Sequence, residues 1–238
     1  MRLVKPTLHV VYLLLFSFFT THYVKAQSPF REGVLTYKAD TIKRLVSKPS
    51  KMYISQMRVY IKGQLARHDI ISISGGEQRD TIRTSQIRNE QGIYICLDPS
   101  SQPEKVAILM SYKEEQEDKA NRMAKGNLSH YTVKKTGQHV KLLGVNTERV
   151  LLKGDDKTNP LEVSVSTDIN VPVGLFYESL SQIKGTPLQF TEEEDDWLYQ
   201  YTIEAIESQP LSKQIFEVDP KFMIIPMKMF QEMGKTSK

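Results

Sequence analysis

Alternation of apolar and polar residues, in short runs bounded by turn formers, constrains this chain more than any other feature. Residues 33–42 (GVLTYKADTI), 52–61 (MYISQMRVYI) and 161–167 (LEVSVST) are rich in β-branched and aromatic side chains, which suit a pleated, half-buried surface. Residues 68–74 lead to Gly75-Gly76, a dipeptide that tolerates the positive φ angles of a tight hairpin. Residues 80–88 pair next, and residues 89–92 (NEQG) turn the chain into the apolar run 93–97. Residues 98–101 (DPSS) break that run, and 105–112 resume it. Turn signals every eight to twelve residues predict an antiparallel meander.

The second half repeats the pattern. Residues 138–143 pass through Gly144 into 147–152 (TERVLL), Gly154-Asp155-Asp156 turns the chain, and 161–167 follows. Residues 172–180 are ambiguous and allow one short helical turn. Residues 183–190 and 197–206 form a hairpin, with the acidic run 192–196 (EEEDD) read as part of its solvated turn. On the last strand Tyr199, Tyr201, Ile203 and Ala205 share one face. The single strong helix candidate is 113–125 (KEEQEDKANRMAK), acidic first, basic last, with Gly126 just beyond its end. Only Ala120, Met123 and Ala124 are apolar in it, so it is expected to lie on a sheet. The tail after Phe230 reads as polar and frayed.

The N-terminus carries an address. Arg2 and Lys5 precede an apolar run at 10–19 (VVYLLLFSFF), and Val24-Lys25-Ala26 offers small residues for a signal peptidase. Cleavage is expected between Ala26 and Gln27. The run is about half of what a membrane-crossing helix needs, so no anchor is expected to remain. The expected organisation is a signal at 1–26, one β domain at 27–230 and a polar tail at 231–238. Without Arg2, Lys5 and Lys25, basic and acidic side chains number 29 and 28. That balance gives no electrostatic reason to propose nucleic acid or an anionic surface as partner. Cys96 is the sole cysteine, which excludes an intramolecular disulfide and a thiolate metal cluster. It sits in an apolar strand and reads as a small buried group. Gln27, rather than a cysteine, follows the cleavage point, so lipid anchoring is not supported. These features suit a bacterial periplasmic, outer-membrane-associated or secreted protein.

Groups that could carry chemistry are sparse. His68, His130 and His139 stand in no metal-ligand spacing and read as solvated loop residues. Residues 181–184 (SQIK) fit SxxK and 135–137 (KTG) fit KTG, but in reversed order and without SDN. Gly234-Lys235-Thr236 resembles the end of a phosphate loop with no helix after it, and Asn127-Leu128-Ser129 matches a glycosylation acceptor. All four are chance matches. The acidic run lacks the spacing and central glycine of a calcium loop. The aromatic residues are mostly core, yet Tyr199 and Tyr201 are candidates for lining an apolar cavity. Residues 223–230 (MIIPMKMF) form a methionine-rich apolar segment that reads first as the last piece of core, with Met223 and Met227 the candidates if it is instead a greasy contact.

Several pieces in order carry a resemblance. They are Gly33-Val34-Leu35-Thr36-Tyr37, the run 144–150 (GVNTERV), Thr167-Asp168, Gly185-Thr186-Pro187-Leu188 and Phe216-Glu217-Val218, with Asp219 where proline is usual. The chain resembles the exported envelope proteins that group with LolA/LolB-type lipoprotein carriers, over most of residues 31–230. That resemblance implies a mainly β fold: a curved antiparallel sheet, an open half-barrel, with one or two helices on its concave side. It implies a non-enzymatic envelope protein holding a lipid or lipoprotein acyl chain in the concavity, with no cofactor. The alternative is a structural protein docking on another envelope component through a sheet edge or the 223–230 patch. An enzyme would need His68, His139 and an acid brought together by folding.

Overall fold

The alternating runs become twelve strands in a computed structural model that describes residues 30–47, 52–74, 80–99, 103–124, 131–154, 160–172, 175–194 and 196–236. The first half forms β1 (Glu32–Arg44), β2 (Met52–Lys62), β3 (Leu65–Ser74), β4 (Thr81–Asn89), β5 (Gly92–Pro99) and β6 (Lys105–Met110), then helix α1 (Tyr112–Ala124). The second forms β7 (Tyr131–Leu142), β8 (Val145–Gly154), β9 (Leu161–Ser166), β10 (Thr186–Glu194), β11 (Trp197–Glu207), β12 (Phe222–Pro226) and helix α2 (Met227–Thr236). All twelve strands join one open, curved sheet in the order β12-β6-β5-β4-β3-β2-β1-β11-β10-β9-β8-β7. The fold is therefore mainly β, as expected. Every pairing is antiparallel except that of β12 with β6.

Period-2 alternation divides the sheet into two apolar faces. The larger core runs from β3 to β7 on one face and includes Leu35, Tyr37, Val59, Val163, Phe190 and Tyr201. Residues 175–185 lie across it as a strap, burying Leu175 and Leu180. On the other face Val34, Ile87, Tyr94 and Cys96 pack under Leu211 and Phe216. These last two belong to the crossing 208–221, which carries the chain from β11 to β12. Lys62, Arg67 and Asn89 donate to the carbonyls of Leu211, Ile215 and Phe216 at 2.6, 3.2 and 2.9 Å, so three of the crossing's backbone acceptors are satisfied by the sheet it covers.

Helix α1 begins with a capping box. The Glu114 N–H donates to Ser111 Oγ at 3.2 Å, and Glu114 Oε2 accepts from the Ser111 N–H at 2.8 Å. An Arg88–Glu115 ion pair and a Tyr112 hydroxyl bond to the Asn89 carbonyl (2.8 Å) fix it to β4. Arg88 projects on the same face as the larger core, because Ala66 is its partner across β3.

Several boundaries differ from the sequence reading. Strand β5 runs on through Asp98 and Pro99, with Pro99 opposite Ile82 at the strand end. Strand β7 begins at Tyr131, and Leu143-Gly144 joins it to β8 with φ of 50° and 82°, the two positive angles of a type I′ hairpin. The ambiguous stretch holds one 3₁₀ turn at Glu178–Leu180. Helix α2 extends past Phe230 to Thr236. The largest correction concerns the acidic run: β10 continues through Glu194, with Glu192 opposite Tyr199 and Glu194 opposite Trp197. The signal segment, the Ala26–Gln27 junction, Gly75-Gly76, Gly126, the acceptor Asn127-Leu128-Ser129 and His130 lie outside the described residues.

Candidate functional site

The inward positions of β10 alternate as Leu188, Phe190, Glu192 and Glu194, so two acids occupy the buried face where the sequence reading had a wet turn. Their carboxylates hold the strap. Ser179 donates to Glu192 Oε2, both side chains being buried. Tyr177 donates to Glu194 Oε2 at 2.5 Å, and Tyr201 reaches the same oxygen at 3.2 Å. The Tyr177 and Tyr201 hydroxyls lie 2.6 Å apart. Burial first, and the Glu194 charge with it, push both phenols up, so they remain protonated donors. Phe190 stacks on Tyr201 with centroids 4.9 Å apart, closing this layer.

His68 corrects a second expectation. It is 6% exposed on β3 rather than solvated, 6.4 Å from the Phe176 ring and 6.5 Å from Tyr177 by centroids. Burial lowers its pKa to about 4, with Asp69 and a hydrogen bond to the Leu175 backbone opposing the shift. Its Nε2 has no hydrogen-bond partner among the described residues. The ring is thus neutral and serves as packing under the strap.

Beyond the anchored part of the strap, Gln182, Ile183 and Lys184 form one wall of a cleft of about 720 Å³ over β7, β8 and β9. Its apolar floor is Val133, Val150 and Val165, with Ile183 above. Val150 and Val165 belong to the larger core, and Val133 and Ile183 pack against it, so the core opens to solvent here. The rim is polar: Lys135 and Lys184, His139, Glu148 and Asp168. Lys135 pairs with Glu148 at 2.8 Å. An apolar floor under a mixed-charge rim can take a molecule with a greasy body and a polar end.

Among the sequence candidates, Tyr199 and Tyr201 are 2% and 0% exposed and lie within the packed core, away from the cleft wall. The Tyr199 hydroxyl accepts from the Ile54 N–H at 3.1 Å. Met223 is exposed on β12, whereas Met227 is half-buried against the groove between α2 and α1. Lys135 and Lys184, from the KTG and SxxK matches, meet in the cleft, but Ser181 is exposed and does not line it. His68 and His139 stand on strands seven places apart in the sheet. Cys96 is buried, and burial raises its thiol to about 11. Extending the alternation of Leu188 and Phe190 by four residues would have found Glu192 and Glu194. Among the described residues no group of three His, Cys, Asp or Glu is placed to hold a metal, and no helix is long and apolar enough to cross a membrane.

No protein-family model matches the chain, and no curated protein matches its sequence. The solved structure of PNGF-II is similar over 84% of this chain and 32% of that protein, at 11% identity and a TM-score of 0.39. The chain thus spans about a third of that protein's length, and a likeness of this degree assigns no function.

Proposed function

We propose that this is an exported, non-enzymatic cell-envelope protein, related to the LolA/LolB-type carriers, that binds an apolar or amphiphilic ligand such as a lipid or lipoprotein acyl chain. The observation that carries this reading is the continuity between the larger core and the cleft floor at Val133, Val150 and Val165. The cleft volume, about 720 Å³, lies within the range of small-molecule sites. Burial of an acyl chain there gains about 0.8 kcal/mol per CH₂ and needs no cofactor. The polar rim, with Lys135, His139 and Lys184, would keep a headgroup in water.

Native mass spectrometry with lipid extraction, on protein purified from the periplasm of its own host, tests this. Near-stoichiometric lipid is expected, and Val133→Lys should abolish it while leaving the β-sheet circular dichroism unchanged. An apo mass after mild handling, together with no uptake of an apolar fluorescent probe, sinks the reading.

A further inference from the structure

The rim of the cleft is charged but balanced: Lys135 and Lys184 stand there with Glu148 and Asp168. One pair cancels within the protein, since Lys135 Nζ lies 2.8 Å from Glu148 Oε2. The other two charges do not cancel. Among the described residues neither the Lys184 ammonium nor the Asp168 carboxylate has an ion-pair partner, although both line the same cleft. They stand two positions beyond Thr186 and Ser166, which pair across β10 and β9. The strap and the end of β9 thus bring one free cation and one free anion to the same rim.

Strand β7 is shaped to that rim as well. Lys135 lies opposite Val150 and His139 opposite Glu148, so residues 136–138 together face Arg149 alone. Gly137 takes this bulge at a φ of +73°. Thr136 Oγ pins it, donating to the Arg149 carbonyl at 2.7 Å and accepting from the Gln138 N–H at 3.2 Å. Without the two extra residues Gly137 would stand opposite Glu148; with them His139 does, and it lines the cleft. Bulges gather where a side chain has to be re-aimed. We propose that the cleft selects a zwitterionic headgroup, its phosphate ester held at Lys184 and His139 and its ammonium at Asp168, over one acyl tail on Val133, Val150 and Val165. This rests on the reading of the cleft as an amphiphile site. An anionic headgroup would meet two carboxylates and a cationic one two ammonium groups, whereas a zwitterion answers Lys184 and Asp168 together. Both side chains are exposed, so the gain is in selectivity more than in strength.

Calorimetric titration with four dodecyl probes below their micelle concentrations is the test, the tail being constant and the head phosphocholine, phosphate, trimethylammonium or maltoside. Dodecylphosphocholine is expected to bind roughly fivefold or more tightly than each of the others. Asp168→Asn should strengthen binding of the phosphate probe and weaken that of the trimethylammonium probe. Lys184→Gln should do the reverse, and circular dichroism checks that each variant is folded. Equal affinities for all four probes, or an order that neither folded variant moves, overturn the headgroup assignment and leave the apolar cleft standing. Tightest binding of the phosphate, trimethylammonium or maltoside probe overturns it too. No binding of any probe removes the amphiphile reading itself, and this inference with it.

Discussion

The Tyr37 hydroxyl donates to the Pro187 carbonyl at 2.8 Å, joining β1 to β10 across the intervening β11. Tyr37 is fully buried, and the bond meets β10 where its register with β9 shifts between Pro187 and Gln189. A bulge leaves ladder groups unpaired, and the phenol supplies a donor to one of them. Tyr37→Phe is therefore expected to lower stability by about 1–2 kcal/mol, read as a reduced urea midpoint at constant slope.

Acid should destabilise the protein through His68. The folded ring titrates at about 4 against 6.5 for the free group. Between those values the unfolded chain binds the extra proton, so stability is complete above pH 6.5 and falls as pH drops toward 4. The loss is on the order of 3 kcal/mol. His68→Gln removes this slope, and urea melts at pH 7, 5.5 and 4.5 would reveal it. A slope unchanged in the variant would place the acid sensitivity elsewhere.

Tyr177 and Glu194 should be energetically coupled. A double-mutant cycle with Tyr177→Phe and Glu194→Gln is expected to give about 1–3 kcal/mol, as for a hydrogen bond to a charged group. Because this pair holds the strap, the single variants should also speed proteolysis within residues 175–185. Equal proteolysis rates would show that the strap is held by its apolar contacts alone.

Gly185 admits no side chain. Its φ is +119°, and a Cβ there would sit 2.6 Å from the Ser166 carbonyl oxygen. Gly185→Ala should cost about 1–3 kcal/mol in thermal or urea unfolding. It should also disturb the cleft, since Lys184 precedes it.

Cys96 should be a poor nucleophile. A thiol at about 11, against a usual 9.0, holds about a hundredfold less thiolate. Labelling by a thiol reagent at pH 8 should be slow in the folded protein and rapid in urea.

The sheet was legible in the sequence because its code is local. Tyr199, Tyr201 and Ile203 alternate over polar neighbours, and their burial follows from the pleat. Helix α1 was legible from its charge gradient, and Ser111-Tyr112-Lys113-Glu114 carries the capping box that sets its first turn. Charge misled in two places. Arg67 and Asp69 made His68 look wet, although strand geometry sends them to one face and His68 to the other. The five acids of 192–196 read as solvated, although two of them find hydroxyl donors 13 to 17 residues back in the chain. Such partners cannot be seen until the strap is placed. Parallel pairing of β12 with β6 was equally hidden, since the pairing residues lie more than a hundred positions apart.

The meander β1–β6 is gripped along both its margins by strands made much later, β11 beside β1 and β12 beside β6. Until residues 197–226 are in place, neither margin of that meander has the partner it holds in the fold. The last thirty residues of the sheet act as a clasp. A chain cut short before residue 222 would still hold most of its larger core, yet it would leave β6 open to strangers.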